Sequence, residues 1–351
     1  MKTGNIVEMD REGRNTIYRH TGRIDHIDIL KAIGILAMVM GHVGFGDVFN
    51  KWIHIFHMPM FFIISGYLYH FQSFWKMIKR RTKTLLVPYF VFGIIHCFLF
   101  FVRNGKIDIH AFYLLLWENT AENGIPIAGA LWFLTAMWVT ELLFWCIQSM
   151  RLSAIKTTII AAIIAVIGLA CSTYLPIRLP WAIDVGMVGV GFYQTGKHIR
   201  EVIPKILEAK CFYYIIGIIF FSVFGLLFPY VNLRIGEYGI WPVFWINAVG
   251  MTVSLWGVSR YVNEFFAYKN IRYLYWLKGI GRDSILYLCL NQLAILLNRD
   301  LIGTLIPYNG TPFLIMKRFI ILVLALAELL VLQNIVQMRR RITENFFSES
   351  S

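Results

Sequence analysis

The chain has 351 residues, of which 58% are hydrophobic and only 15% charged, and its formal net charge is +13. A soluble chain carries about 25% charged residues, so this one lacks the polar surface needed to coat a water-soluble globule. The excess of Lys and Arg then reports membrane topology and contact with anionic lipid, and nucleic-acid binding is excluded as its cause.

The first 26 residues are polar and basic, without the apolar core or cleavage site of a signal peptide, and are expected to form a cytoplasmic tail. Apolar runs of the roughly 20 residues needed to cross a bilayer then recur along the chain. They lie at about 27–45, 52–70, 84–103, 129–149, 157–175, 181–198, 212–231, 239–260, 283–302 and 313–337. The pattern predicts an all-α polytopic protein of about ten transmembrane helices, with a membrane domain over 27–338 and a cytoplasmic C-terminal tail at 339–351. Set against that alternation, the 33 Lys and Arg fall about three to one in the connections on the side of the N-terminus. The positive-inside rule assigns that side, and both chain ends, to the cytoplasm. The connection 104–128 is the sizeable one on the opposite side, and its aromatic stretch 112–117 is too short to span. The five cysteines lie in or beside apolar runs with no paired spacing, so they read as packing residues.

Ionisable residues inside a membrane are costly and mark a functional site or a water-filled cavity by default. The first run holds Asp28, Lys31 and His42. Lys31 and His42 are eleven residues apart, within about 20° of three full turns, so they share one helix face about 16 Å apart along the axis. That places Lys31 near the cytoplasmic mouth and His42 in the outer half of the membrane. The second run opens with His54 and His57 and contains Pro59, which is expected to kink it. A tight outer turn brings His57 near His42, and two histidines at similar depth suit proton transfer at neutral pH. The spacing of His54 and His57 lacks a third ligand, so no metal is expected. His96, Glu141 and Glu328 lie in apolar runs with no partner identifiable from spacing, and Arg299 and Asp300 read as a local pair. Asp184, near the outer end of the sixth run, is the carboxylate best placed to orient an imidazole, with a helix-end cap as the competing role. Trp132 and Phe133 are candidates for an aromatic belt, and Glu118 and Glu122 for solvated loop residues.

The motifs occur in a specific order: Asp28-Ile29-Leu30-Lys31 and Gly41-His42, then Phe56-His57-Met58-Pro59-Met60-Phe61-Phe62, Ser65-Gly66-Tyr67, basic residues before Leu85-Leu86-Val87-Pro88-Tyr89, and Gly129-Ala130-Leu131-Trp132-Phe133-Leu134. In this order the chain resembles the acyltransferase-3 family, closest to its fucose O-acetylase-like branch. The resemblance implies an enzyme of the bacterial cell membrane that moves an acyl group, usually acetyl, from cytoplasmic acyl-CoA to a hydroxyl of an extracytoplasmic or lipid-linked sugar. It further implies no permanently bound cofactor, acetyl-CoA as donor substrate, and acyl-CoA, a carbohydrate and membrane lipid as partners, with a homodimer left open. The family's basic residue and histidine, eleven apart, fall on Lys31 and His42, with Lys in place of the usual Arg. Its paired arginines fall on Arg80 and Lys83, with Arg81 between them as an alternative. Where the family has a His seven residues after a Ser, this chain has Asn291 after Ser284. The implied roles are His42 as base or as nucleophile, His57 or Asn291 as oxyanion donor, and Asp184 as orienting carboxylate. Asp28, Lys31, Arg80, Arg81 and Lys83 would bind acyl-CoA, and Trp132, Phe133, Glu118, Glu122 and Asn291 the acceptor. A transporter or flippase is the alternative class. It would show repeats and matching interrupted helices, and neither is visible in the sequence.

Overall fold

A computed structural model describes residues 25–105, 109–116, 129–268, 274–307 and 310–349, and within them the regular structure is helical. In chain order the helices begin with α1 (Asp25–Val43), α2 (Asp47–His54), α3 (His57–Tyr67), α4 (Phe74–Arg81) and α5 (Val87–Asn104). They continue with α6 (Ile109–Leu116), α7 (Trp132–Ser149), α8 (Ala154–Tyr174), α9 (Ile183–Ile206) and α10 (Cys211–Leu227). The last four are α11 (Trp241–Tyr268), α12 (Leu274–Arg282), α13 (Ser284–Leu305) and α14 (Thr311–Glu349). Among the described residues, six helical segments are long and apolar enough to cross a membrane: α1, the continuous Phe74–Arg103, α8, α11, α13 and Pro312–Arg339 of α14. The protein is a multi-pass membrane protein, and α10 is apolar but shorter.

Two helices form the interior. α1 packs against α3, α11, α12, α13 and α14, while α9 packs against α3, α7 and α8. α3 lies between these pillars and joins the two halves of the bundle. α9 carries Gly186, Gly189, Gly191 and Gly196, small residues that let helices approach closely in a bilayer. At Gly196 the approach is closest, because any Cβ there would collide with the backbone of Ile63 in α3. Large apolar side chains point outward from α5 (Val91, Ile94, Phe98), α8 (Ile155, Ile159, Ile163), α10 (Ile216, Ile219, Phe220) and α14 (Phe319, Val323, Val331). Such continuous apolar faces suit lipid contact and would be a liability in water.

Two elements depart from the pattern read in the sequence. The run 52–70 does not kink at Pro59; it breaks earlier, at Ile55–Phe56, into α2 and α3. Pro59 is the third residue of α3, where a backbone N–H has no acceptor within the helix, so the ring fits without distortion. The run expected to begin near 84 is helical from Phe74, with a π-helical turn at Thr82–Leu86. Pro88 cannot donate to the carbonyl of Thr84, and the wider turn accommodates that missing bond. The basic residues therefore stand on the helix. α14 continues through 339–349, the stretch read as a tail, and all five cysteines are free thiols.

Candidate functional site

His42 lies in the last turn of α1, just before the chain turns back through Gly44 and Gly46, both at positive φ. Its Nδ1 is 2.5 Å from Oδ1 of Asn291 on α13. The orientation of that amide is fixed, because Nδ2 of Asn291 donates to the carbonyls of Tyr287 (2.9 Å) and Leu288 (2.8 Å) in its own helix. Reversing the amide would set its oxygen against two carbonyl oxygens, so Oδ1 is the acceptor facing His42. His42 therefore carries its proton on Nδ1, and Nε2 keeps the lone pair. No described protein group bonds Nε2.

The two histidines of the next elements are held in the same tautomer. Nδ1 of His54 donates to the carbonyl of Asn50 at 2.7 Å, and Nδ1 of His57 to that of Ile53 at 2.8 Å. Each bond reaches four residues back, which fixes the imidazole by local helical geometry. Their rings meet edge-on with centroids 5.0 Å apart, and His54 also lies 5.4 Å from the ring of Tyr230. Burial lowers the pKa of His54 from the ordinary value, since a low-dielectric surround disfavours the charged form.

Tyr230 belongs to the connection between α10 and α11. There the backbones of Asn232 and Glu237 exchange hydrogen bonds of 2.7 and 3.0 Å, closing a tight loop. Oδ1 of Asn232 accepts from the backbone N–H of Arg234 at 3.1 Å, which anchors the single turn Leu233–Ile235. The loop lays the Arg234 guanidinium against Gly129, where a Cβ would come within 2.8 Å of Nη1. Burial lowers the pKa of this guanidinium as well.

These groups enclose two cavities that meet at His42 and Arg234. The first, of about 290 Å³, is lined by His42, His54, His57, Trp132, Tyr230 and Arg234, with Asn50, Asn232 and apolar Met38 and Met58. The second, of about 210 Å³, is lined by His42, Gly129, Arg234, Gln292, Ile295, Leu296 and Arg299. Aromatic faces, imidazole nitrogens and amides suit a polyhydroxylated ring, and a lone-pair nitrogen beside such a pocket can take a proton from a hydroxyl.

The expected site residues divide into several places. His42, His57 and Trp132 come together in the first cavity. Phe133 does not line it, because its ring packs on Phe61 and Phe62 in the core. Asn291 is fully buried and has both amide hydrogens committed, so it is not an oxyanion donor or an acceptor ligand; it holds His42. Neutral His57 has its one ring N–H engaged by Ile53, which leaves it an acceptor at Nε2. Asp184 orients no imidazole. Its Oδ2 pairs with Arg178 at 2.8 Å and accepts from Ser172 at 2.7 Å, because the first turn of α9 faces the end of α8. Glu118 and Glu122 lie outside the described residues.

The basic residues sit elsewhere. Lys31 Nζ stands 3.9 Å from Asp28 Oδ1 on the same helix. Arg80 and Arg81 converge on Glu141 at 3.4 and 2.8 Å, and the hydroxyl of Tyr193 donates to the same carboxylate at 2.9 Å. Glu141 is fully buried, whereas 46% of the Arg80 side chain remains exposed, and Lys83 is exposed. Glu328 accepts from Asn298 at 2.9 Å, and Nδ1 of His96 bonds the carbonyl of Phe92 at 2.6 Å. Asp300 pairs with Arg103 at 2.9 Å and not with its neighbour Arg299, since successive helical residues point about 100° apart. Sequence reasoning missed Tyr230, Asn232 and Arg234. The available signal was a connection between two apolar runs rich in aromatic, amide and Arg side chains, which spacing alone does not link to His42.

Comparison with known families matches residues 24–331 to the acyltransferase domain of the acyltransferase-3 family, and the chain belongs to that family. Comparisons with curated proteins and with solved structures found no match.

Proposed function

Proceeding from this membership, we propose that the protein is an O-acetyltransferase of the fucose O-acetylase-like branch. In this reading it moves acetyl from cytoplasmic acetyl-CoA to a sugar hydroxyl on the far side of a bacterial cell membrane. The observation that carries the reading is the His42–Asn291 pair, which leaves Nε2 of His42 as a lone-pair base at the junction of two cavities. Ten crossings follow if α3, α7, α9 and α10 are added to the six long segments, with residues 27–338 as the membrane domain and both chain ends cytoplasmic. The charge asymmetry of the connections supports that orientation.

In the proposed reaction the acceptor hydroxyl gives its proton to Nε2 of His42 as its oxygen attacks the thioester carbonyl carbon. The tetrahedral intermediate collapses, the C–S bond breaks, and the CoA sulfur leaves with the proton returned by the imidazolium. Lys31, Arg80 and Lys83 would meet the CoA phosphates at the cytoplasmic end. Glu141 holds Arg81 and steadies Arg80, and Asp28 steadies Lys31. Trp132 and Tyr230 offer faces on which a sugar ring stacks. The test is transfer and hydrolysis of radiolabelled acetyl-CoA by the purified protein in liposomes, wild type beside His42→Ala. Label leaving CoA only with the intact histidine is the expected result; identical behaviour of the two proteins sinks the assignment.

A further inference from the structure

The second cavity has a chemistry that a neutral sugar does not need. Gln292, Ile295, Leu296 and Arg299 form one stripe of α13 at three- and four-residue spacing, which aims Arg299 at the same space as His42. Arg299 makes no ion pair among the described residues, because the adjacent carboxylate of Asp300 is taken by Arg103. Arg234 enters from the opposite side, seated on the backbone of Gly129. Among the described residues no Asp or Glu lines either cavity. Two guanidinium groups, one amide and a partly apolar wall thus surround a space of about 210 Å³ beside the base. A guanidinium is a planar, permanently charged fork that matches a carboxylate or phosphate through paired hydrogen bonds.

We infer that the acceptor is anionic: Arg299 and Arg234 bind a carboxylate or phosphate on the acetylated sugar or on the residue next to it, while the ring itself occupies the His54–Trp132–Tyr230 cavity. This rests on the acyl-transfer reading of the same site. The two cavities meet at His42, so the anion lies within one sugar residue of the hydroxyl that reacts. Arg299 selects the acceptor and takes no part in the bond changes.

The test uses the full chain in liposomes with acetyl-CoA and matched pairs of acceptors that differ only in charge. Methyl glucoside is set against methyl glucuronoside, methyl galactoside against its uronic acid, and N-acetylglucosamine against its 1-phosphate. His42-dependent turnover of acetyl-CoA is read for each. The anionic member of at least one pair is expected to act at about 10- to 100-fold lower concentration than its neutral twin, the range for charge-assisted hydrogen bonds. Arg299→Gln, a change on an exposed helix face, is expected to bring that ratio close to one, and Arg299→Lys to leave it intermediate. Equal response to both members of every pair, or a ratio unchanged in Arg299→Gln, overturns the inference. So does a raised KM for acetyl-CoA in Arg299→Gln, or a preference for succinyl-CoA over acetyl-CoA that this variant abolishes, since either puts the anion on the donor. Turnover of acetyl-CoA that persists unchanged in His42→Ala is a separate failure, that of the acyl-transfer reading.

Discussion

Two polar assemblies within the bundle, around Glu141 and around His42, answer their charges in different ways. Around Glu141 the charges are answered within the protein: one carboxylate receives Arg80, Arg81 and the Tyr193 hydroxyl. Around His42 each imidazole is satisfied on one side only, with Nδ1 of all three histidines bonded to protein and the rings lining a cavity. The first arrangement is that of a structural ion pair at the carboxylate, strongly destabilising to break, with part of Arg80 left exposed. The second keeps acceptor capacity in reserve beside a cavity. Residue types alone do not separate the two, since both consist of titratable groups in apolar helices. The number of bonds still open beside a cavity does.

The comparison can be broken most sharply at His42. His42→Ala is expected to lower acetyl transfer by about 10²- to 10⁴-fold, the usual contribution of a positioned base, with little change in thermal stability. The reverse is expected of Glu141→Ala, which strands Arg81 in the bundle. It should lower stability by about 3–5 kcal/mol, read as thermal unfolding in detergent, and a variant that unfolds like wild type would show that the carboxylate is dispensable to the fold.

Asn291 sharpens the account of the active end. Asn291→Leu removes the acceptor that fixes the tautomer and is expected to cost about 10- to 100-fold in kcat, near the value of a charge-assisted hydrogen bond, with KM for acetyl-CoA unmoved. Asn291→Asp restores an acceptor and adds a negative charge, which favours the protonated imidazole. The base is then lost at higher pH, so the acidic limb of the pH–rate profile should move upward. A profile that coincides with wild type would show that residue 291 does not act through His42. The smallest effect separates the two aromatic neighbours. Trp132→Ala should raise KM for the acceptor about 5- to 10-fold, as expected for loss of one stacking contact. Phe133→Ala should instead lower thermal stability by about 3 kcal/mol through a core cavity. Equal effects of the two on acceptor KM would refute the proposed stacking on Trp132.

Much of this architecture was legible from local pattern. Helix length and apolar content located α1, α8, α11, α13 and α14, and the eleven-residue interval placed Lys31 and His42 on one face, because both are properties of a single helix. The ordered motifs also led to the family that matches residues 24–331. What was not legible concerns pairs of elements. Asp184 has the right chemistry and depth to orient a histidine, yet it faces Arg178 and Ser172. The Glu141 partners lie 52 to 61 residues away, and nothing in the periodicity of α7 names them.

By itself the sequence determined that the chain is a bundle of membrane helices, where α1, α8, α11, α13 and α14 run, and that Lys31 and His42 share one face of α1. Only the tertiary structure decided that Asn291, 249 residues from His42, fixes its tautomer, and that the loop after α10 carries Tyr230 and Arg234 into the same site. The physical reason is that helical periodicity states which residues share a face. Which face meets which is decided by the packing of the whole bundle.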